Sequence, residues 1–391
     1  VNDLPIQSAP TPRVESVCEG DPLAMGVTQG RALRAKIHAA REELTRLEAF
    51  RQRQPWWLPY PLYRWIVERK ARRLIGGWDM AAPEMLQRLR GIASGAGLSE
   101  SSLALFNVLE AVLGNVTRST ACPAACSAVA VRGRRSATGT PIIAHNFDYL
   151  PLVQPFYTLR DSRPTGGARS LDFTFAPLAG AIDGINEHGL AIAYDYAFTT
   201  DAPAGPVPPI STAIADALEH CRTVEQAVTR IAARPRWGAG LLMLADVTGD
   251  IASLELSSTQ SAVRRPAAGE DAMYHTNCFS TDAMLAIQVP WDAVYTDRAP
   301  KPLRGRRLHL SSERRNERFD ASLSGDAVLG HDDLARIMSD HGPTGVPDDF
   351  TPCVHGTYWH TTACLQLMPA TRSVRVAYAN ACQAKYEMFQ L

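Results

Sequence analysis

No stretch of this chain is apolar for long enough to span a bilayer as a helix, which takes about 20 residues, so no spanning segment is expected. Charge of one sign is also missing, because 40 Lys and Arg residues are balanced by 40 Asp and Glu. That balance removes the long-range attraction by which basic proteins find nucleic acid or anionic lipid, and neither is expected as a partner. The phosphate-cradling G-x-x-x-x-G-K-[ST], a G-x-G-x-x-G after a strand and the nucleophile elbow G-x-S-x-G are all absent, which removes nucleotide, dinucleotide and serine-esterase readings. The eight cysteines are scattered and form no C-x-x-C pair. His355 and His360 with Cys353 and Cys364 match no common zinc spacing, so neither metal nor cofactor is expected.

What is present is a chain of 391 residues, 46% hydrophobic, long enough to bury one large core or two modest ones. After a polar, Pro-rich start, Leu33, Ile37, Ala40, Leu44 and Leu47 recur at helical spacing. A segment rich in aromatics and proline follows from Pro55, and it runs into the basic stretch Glu68 to Arg73. Trp56, Trp57 and Trp65 could form a lip for lipid or a long acyl chain; the reading adopted is that they fill a core, the usual place of large aromatics. Pro83 opens a helix that stops near Gly95 to Gly97, and Ser99 caps the next. Residues 20 to 115 therefore read as an all-helical unit.

At Cys126 the composition shifts. Val129 and Val131, then Ile142 and Ile143, flank a polar turn that contains Gly133 and Gly139, the pattern of a β-hairpin. Folding it about Ala137 places Cys126 roughly opposite Asn146 and Asp148, so that a thiol and a carboxylate share one end of a sheet. Further strands are expected around 171–175, 181–196, 241–256 and 362–378, with two helices between 210 and 232. Strands followed by helices and more strands suggest two layers of sheet covered by helices.

Cys126-Ser, the Asn146-Phe-Asp148 run, the Asn186-Glu-His-Gly-Leu turn, Tyr274-His-Thr-Asn277 and Ser311-Ser-Glu-Arg314 occur in an order that resembles the N-terminal nucleophile (Ntn) hydrolases. The resemblance is to the cysteine families around isopenicillin N acyltransferase, penicillin V acylase, bile salt hydrolase and acid ceramidase. It implies an α+β fold, a four-layer αββα sandwich behind an N-terminal helical prosegment. It also implies a precursor that cuts itself between Ala125 and Cys126. Residues 1–125 would then be the helical prosegment and 126–391 the catalytic sandwich, held together as a heterodimer of which higher oligomers can form.

By the same resemblance Cys126 is the nucleophile and its freed α-amino group the base, since that amine titrates near neutral pH. Asp148 orients it, Asn277 donates to the oxyanion, and Tyr196, with Asp195 as its rival, lines the site. Arg314, with Arg315 as its rival, supplies the late arginine. His145 stands where related enzymes carry Arg, and its charge is expected to vary with pH. The expected activity is hydrolysis of a linear amide in a small N-acyl substrate through a Cys126 thioester. The alternatives are transfer of the acyl group to an amine, or a binding protein of the same fold that has lost the chemistry.

Overall fold

The computed structural model describes residues 11–44, 47–114, 125–297 and 299–391. Cys122, with the rest of 115–124 just before the expected cut, lies outside the described residues. Among the described residues the strands form two sheets. One has eight strands, in the order Val14–Gly20, Tyr157–Pro164, Ser170–Phe175, Asp183–Asn186, Ala191–Tyr196, Gly240–Ala245, Ile251–Leu256, Ser261–Arg264. The other has six: Ala272–His275, Ser127–Val131, Ile142–Tyr149, His360–Met368, Ser373–Ala377, Glu387–Gln390.

Side-chain alternation along these strands explains the layering. In Ser127–Val131, Ala128 and Ala130 turn inward with Ile143, Phe147, Leu365 and Leu367 to meet Leu171, Phe173, Ala193 and Met243 of the larger sheet. Val129 and Val131 turn outward with Ile142 and Ala144, and pack on Phe319, Leu334 and Met338 of two helices, Leu310–Leu323 and His331–Met338. Across the molecule, Ile192, Leu242, Leu244 and Leu254 of the larger sheet pack on helices Ile210–His220 and Val224–Ala233. Helices, sheet, sheet and helices make the αββα sandwich that the sequence suggests.

The hairpin register is Ser127 opposite Asn146 and Val131 opposite Ile142, half a residue from the expected fold point. The Asn186 turn is confirmed: Gly189 has φ +78°, in the left-handed region that favours glycine, and the Asn186 carbonyl receives its N–H.

The described residues between 22 and 114 are mostly helical, and two of these helices touch almost backbone to backbone. Gly26 and Gly30 of Pro22–Ala32 face Gly91 and Gly95 of Pro83–Ala96, and a Cβ on Gly26 would sit 2.2 Å from the Arg88 carbonyl oxygen. The N-terminal segment is more deeply joined to the sandwich than composition suggested. Val14–Gly20 adds a parallel edge strand beside Tyr157–Pro164. Buried Gln29 donates to the Ala176 and Leu178 carbonyls and accepts from Arg160.

The aromatic segment corrects the core reading. Trp56, Trp57 and Trp65 are 94%, 65% and 51% exposed, and the core position belongs to Trp78. Helix Tyr60–Leu74 buries Tyr63, Val67 and Ala71, an i, i+4, i+8 stripe, which leaves Trp65 on the outer face beneath the Arg69 guanidinium. No helix among the described residues is long and apolar enough to cross a membrane.

Candidate active site

Cys126 sits immediately before the first hairpin strand, where one edge of the sandwich core meets a cavity. Both it and Ala125 are buried. Its Sγ lies 3.8 Å from the Asp148 carbonyl oxygen, so the thiol and Asp148 share an end of the sheet as the hairpin predicts. Burial pushes the thiol up to about 12, with contact to His145 pulling the other way. In the uncut chain this is an unactivated thiol.

His145 is fixed by two carboxylates. Its Nδ1 is 2.6 Å from Asp183 Oδ2, and its Nε2 is 2.8 Å from Asp195 Oδ1, an ion-pair approach outside good hydrogen-bond angles. Burial favours the neutral ring, yet the two aspartates outweigh it and hold its pKa well above the usual imidazole range. The two aspartates thus favour the charged ring over the neutral one. Beyond Asp195 lies His275, whose pKa burial drives well below that range; its Nδ1 is 2.7 Å from Ser253 Oγ.

Arg315 ties the remaining parts together. Fully buried, it donates to the Cys126 carbonyl oxygen at 2.5 Å, to Ser127 Oγ at 2.7 Å and to Asn277 Oδ1 at 2.7 Å. Held this way, Asn277 donates through Nδ2 to the Tyr196 carbonyl at 2.8 Å. The Tyr196 ring lines the cavity and packs edge-on against Phe198. Arg314 is not part of the cluster: it lies on the exposed face and pairs with Glu317. The reason is helical phase, because Ser311, Arg315 and Phe319 form the buried stripe of Leu310–Leu323.

Asp148 completes the cluster. Its carboxylate oxygens are buried without a well-formed hydrogen bond, and burial holds the group well above the carboxylate range although Arg315 and Thr361 pull it back. Burial likewise lifts Asp195 to about 6 against the pull of His145. Thus the basic side chains of His145 and Arg315 face three acidic ones, Asp148, Asp183 and Asp195.

The cavity beside Cys126 measures about 170 Å³ and is mostly apolar. Leu44, Leu47 and Phe106 from the helical unit line it together with Phe147, Leu152 and Phe175 from the sandwich. Glu110 also lines it, and burial raises this carboxyl to about 7.

A two-sheet sandwich with a buried cysteine at the start of a hairpin strand defines an Ntn hydrolase. The family model described as acyl-coenzyme A:6-aminopenicillanic acid acyl-transferase matches residues 135–379, well over half of the chain. The chain belongs to that family, and its activity is of the family's class: hydrolysis of a non-peptide carbon–nitrogen bond or transfer of the acyl group from it. The match contains His145, Asp148, Tyr196, Asn277 and Arg315 and begins after Cys126. No curated protein matches the chain.

Similar solved structures include the Caenorhabditis elegans ortholog of N-acylethanolamine-hydrolyzing acid amidase, with 15% identity, TM-score 0.43, and coverage of 68% of this chain and 100% of that one. Penicillin V acylase from Agrobacterium tumefaciens has 15% identity, TM-score 0.42, and coverage of 68% and 86%. A mutant of conjugated bile acid hydrolase from Clostridium perfringens has 12% identity, TM-score 0.37, and coverage of 68% and 97%.

Proposed function

We propose that the chain is a self-processing cysteine amidohydrolase for N-acyl substrates with a hydrocarbon acyl group. The observation that carries this reading is the apolar cavity, built jointly by the helical unit and the sandwich, with the Cys126 thiol in its lining. Such a cavity binds by removing apolar surface from water, and it can place an acyl carbonyl against the sulfur.

In the first stage Sγ attacks the Ala125 carbonyl carbon. The thiol proton passes to the Cys126 nitrogen as the bond from that nitrogen to the Ala125 carbonyl carbon breaks, and an Ala125 thioester forms. Water then resolves it, leaving a carboxylate on Ala125 and an α-ammonium on Cys126. That ammonium places a positive charge beside Asp148, which favours its ionised form. It also lowers the thiol pKa by direct attraction.

In the second stage the α-amine takes the thiol proton, and the thiolate attacks the substrate amide carbonyl. The Asn277 side-chain amide, oriented by Arg315, donates to the oxyanion. The ammonium returns its proton to the leaving amine, and a thioester remains. Water completes hydrolysis; a second amine in its place completes transfer. Arg315 and His145 act as positioning residues, the first through Asn277 and Cys126 and the second through its charge. Residues 1–125 stay bound after the cut, supported by the Gln29 and Arg88 hydrogen bonds into the sandwich.

The test is a series of N-acyl amides of increasing chain length, with amine release measured with and without an added amine acceptor. kcat/KM should climb by about fourfold per methylene until the cavity is full. Values that stay flat or fall with chain length would contradict an acyl-binding cavity.

A further inference from the structure

A second thiol cluster lies apart from the cavity, in segments the proposed reaction does not use. His341 follows helix His331–Met338, Cys353 and His355 lie in the loop before strand His360–Met368, and Cys382 lies in the short turn Ala381–Gln383. One donor atom from each of the four falls within 4.8 Å of the other three. His355 Nε2 is 3.3 Å from Cys353 Sγ and 3.5 Å from Cys382 Sγ, and the His341 and His355 rings are 5.2 Å apart. His341 Nε2 is buried without a hydrogen-bond partner.

We infer that His341, Cys353, His355 and Cys382 form a Cys2His2 site for a structural zinc ion. Two soft sulfurs and two imidazoles with no carboxylate among them are a donor set that selects zinc over hard cations. In a tetrahedral zinc site, bond lengths of about 2.0 to 2.3 Å place neighbouring donors about 3.3 to 3.8 Å apart. The two measured sulfur–nitrogen distances already fall in or near that range, so closure needs only small side-chain shifts. Binding releases the two thiol protons to solvent.

Four protein donors leave no open position, which marks a structural rather than a catalytic ion. Its effect would be to staple three segments distant in sequence. It would also brace the strand that carries the active-site residues: Asn146, between His145 and Phe147, donates to the carbonyls of Met338 and Pro352, next to the ligand-bearing loops.

The experiment uses the full chain, reduced, exposed to zinc and then dialysed, with metal measured by elemental analysis. One zinc per chain is expected. His341→Gln and Cys382→Ser should each weaken zinc binding by more than the ~10–100-fold typical of outer-shell changes. Cobalt in place of zinc should give tetrahedral bands with a thiolate-to-metal transition, lost in Cys382→Ser. The variants change one partly buried and one exposed residue, so each should retain a cooperative melt. Failure of the reduced protein to take up metal, equal retention by the variants, or a Cys353–Cys382 disulfide in the freshly isolated protein would overturn the assignment.

Discussion

Two groups of side chains in this molecule centre on cysteine sulfur, and they differ in what surrounds it. Around Cys126 the neighbours are charged: His145 between two aspartates, Arg315, and an Asp148 carboxylate without a good partner, all beside an open apolar cavity. Around Cys353 and Cys382 the neighbours are imidazoles, with no carboxylate among the four donors. Charges of both signs near one thiol can tune its ionisation and hold an amide at it. Paired thiols and imidazoles converging on a point satisfy a soft cation instead. The difference lies in the company each sulfur keeps rather than in the cysteine.

The largest effect that would break this contrast comes from Arg315→Met. It leaves Asp148 and Asp195 short of a buried cation, an expected loss of about 3 to 5 kcal/mol in stability. It should also abolish processing while the Cys2His2 cluster still binds zinc. Chemical denaturation and zinc analysis of the same sample check both halves.

Next in size is Asn277→Ala. Removal of an oxyanion donor should lower kcat by about 10²- to 10³-fold with a smaller change in KM. A change confined to KM would instead make Asn277 a substrate-binding group.

Alkylation sharpens the comparison further. In the zinc-loaded, processed protein, iodoacetamide should modify Cys126 first, because a thiolate next to an ammonium is the reactive form. Cys382, though exposed, should resist until a chelator removes the ion. Peptide mapping by mass spectrometry reads both sites, and Cys382 labelled first without a chelator would contradict the contrast.

The smallest expected effect is a pH dependence from Glu110. Raised by burial to about 7, its carboxyl is neutral below that pH and charged above it. A charge facing the apolar cavity disfavours an acyl chain, so KM should rise as pH passes through about 7. Glu110→Gln should flatten that rise; a KM profile the same in both proteins would assign the titration to another group.

Much of this arrangement was legible in the chain because it follows local rules. The hairpin was readable from β-branched residues either side of a glycine-containing turn, which fixed Cys126 near Asp148 within one residue. The helices that cover the sheets were readable from apolar spacing. Arg315 was within reach of the same reasoning. Ser311, Arg315 and Phe319 are four apart, so phase against Phe319 selects Arg315 over Arg314.

Other features depend on contacts that no local pattern encodes. Asp183 and Asp195 reach His145 from two strands of the opposite sheet, and only the stacking of the sheets brings them together. The second sulfur cluster draws on three separate segments, so the sequence offered only Cys353, His355, His360 and Cys364, whose spacing matches no common zinc pattern. Exposure of Trp65 ran against the general tendency of large aromatics, because Tyr63, Val67 and Ala71 take the buried face of its helix.

The account stands on Cys126 becoming the N-terminal residue of its own chain. An intact-mass spectrum of the denatured protein, wild type beside Cys126→Ala, tests this directly. The account predicts two wild-type masses that match residues 1–125 and 126–391, copurifying before denaturation, and a single uncut mass for Cys126→Ala. A single uncut wild-type chain that nonetheless hydrolyses N-acyl amides would contradict it.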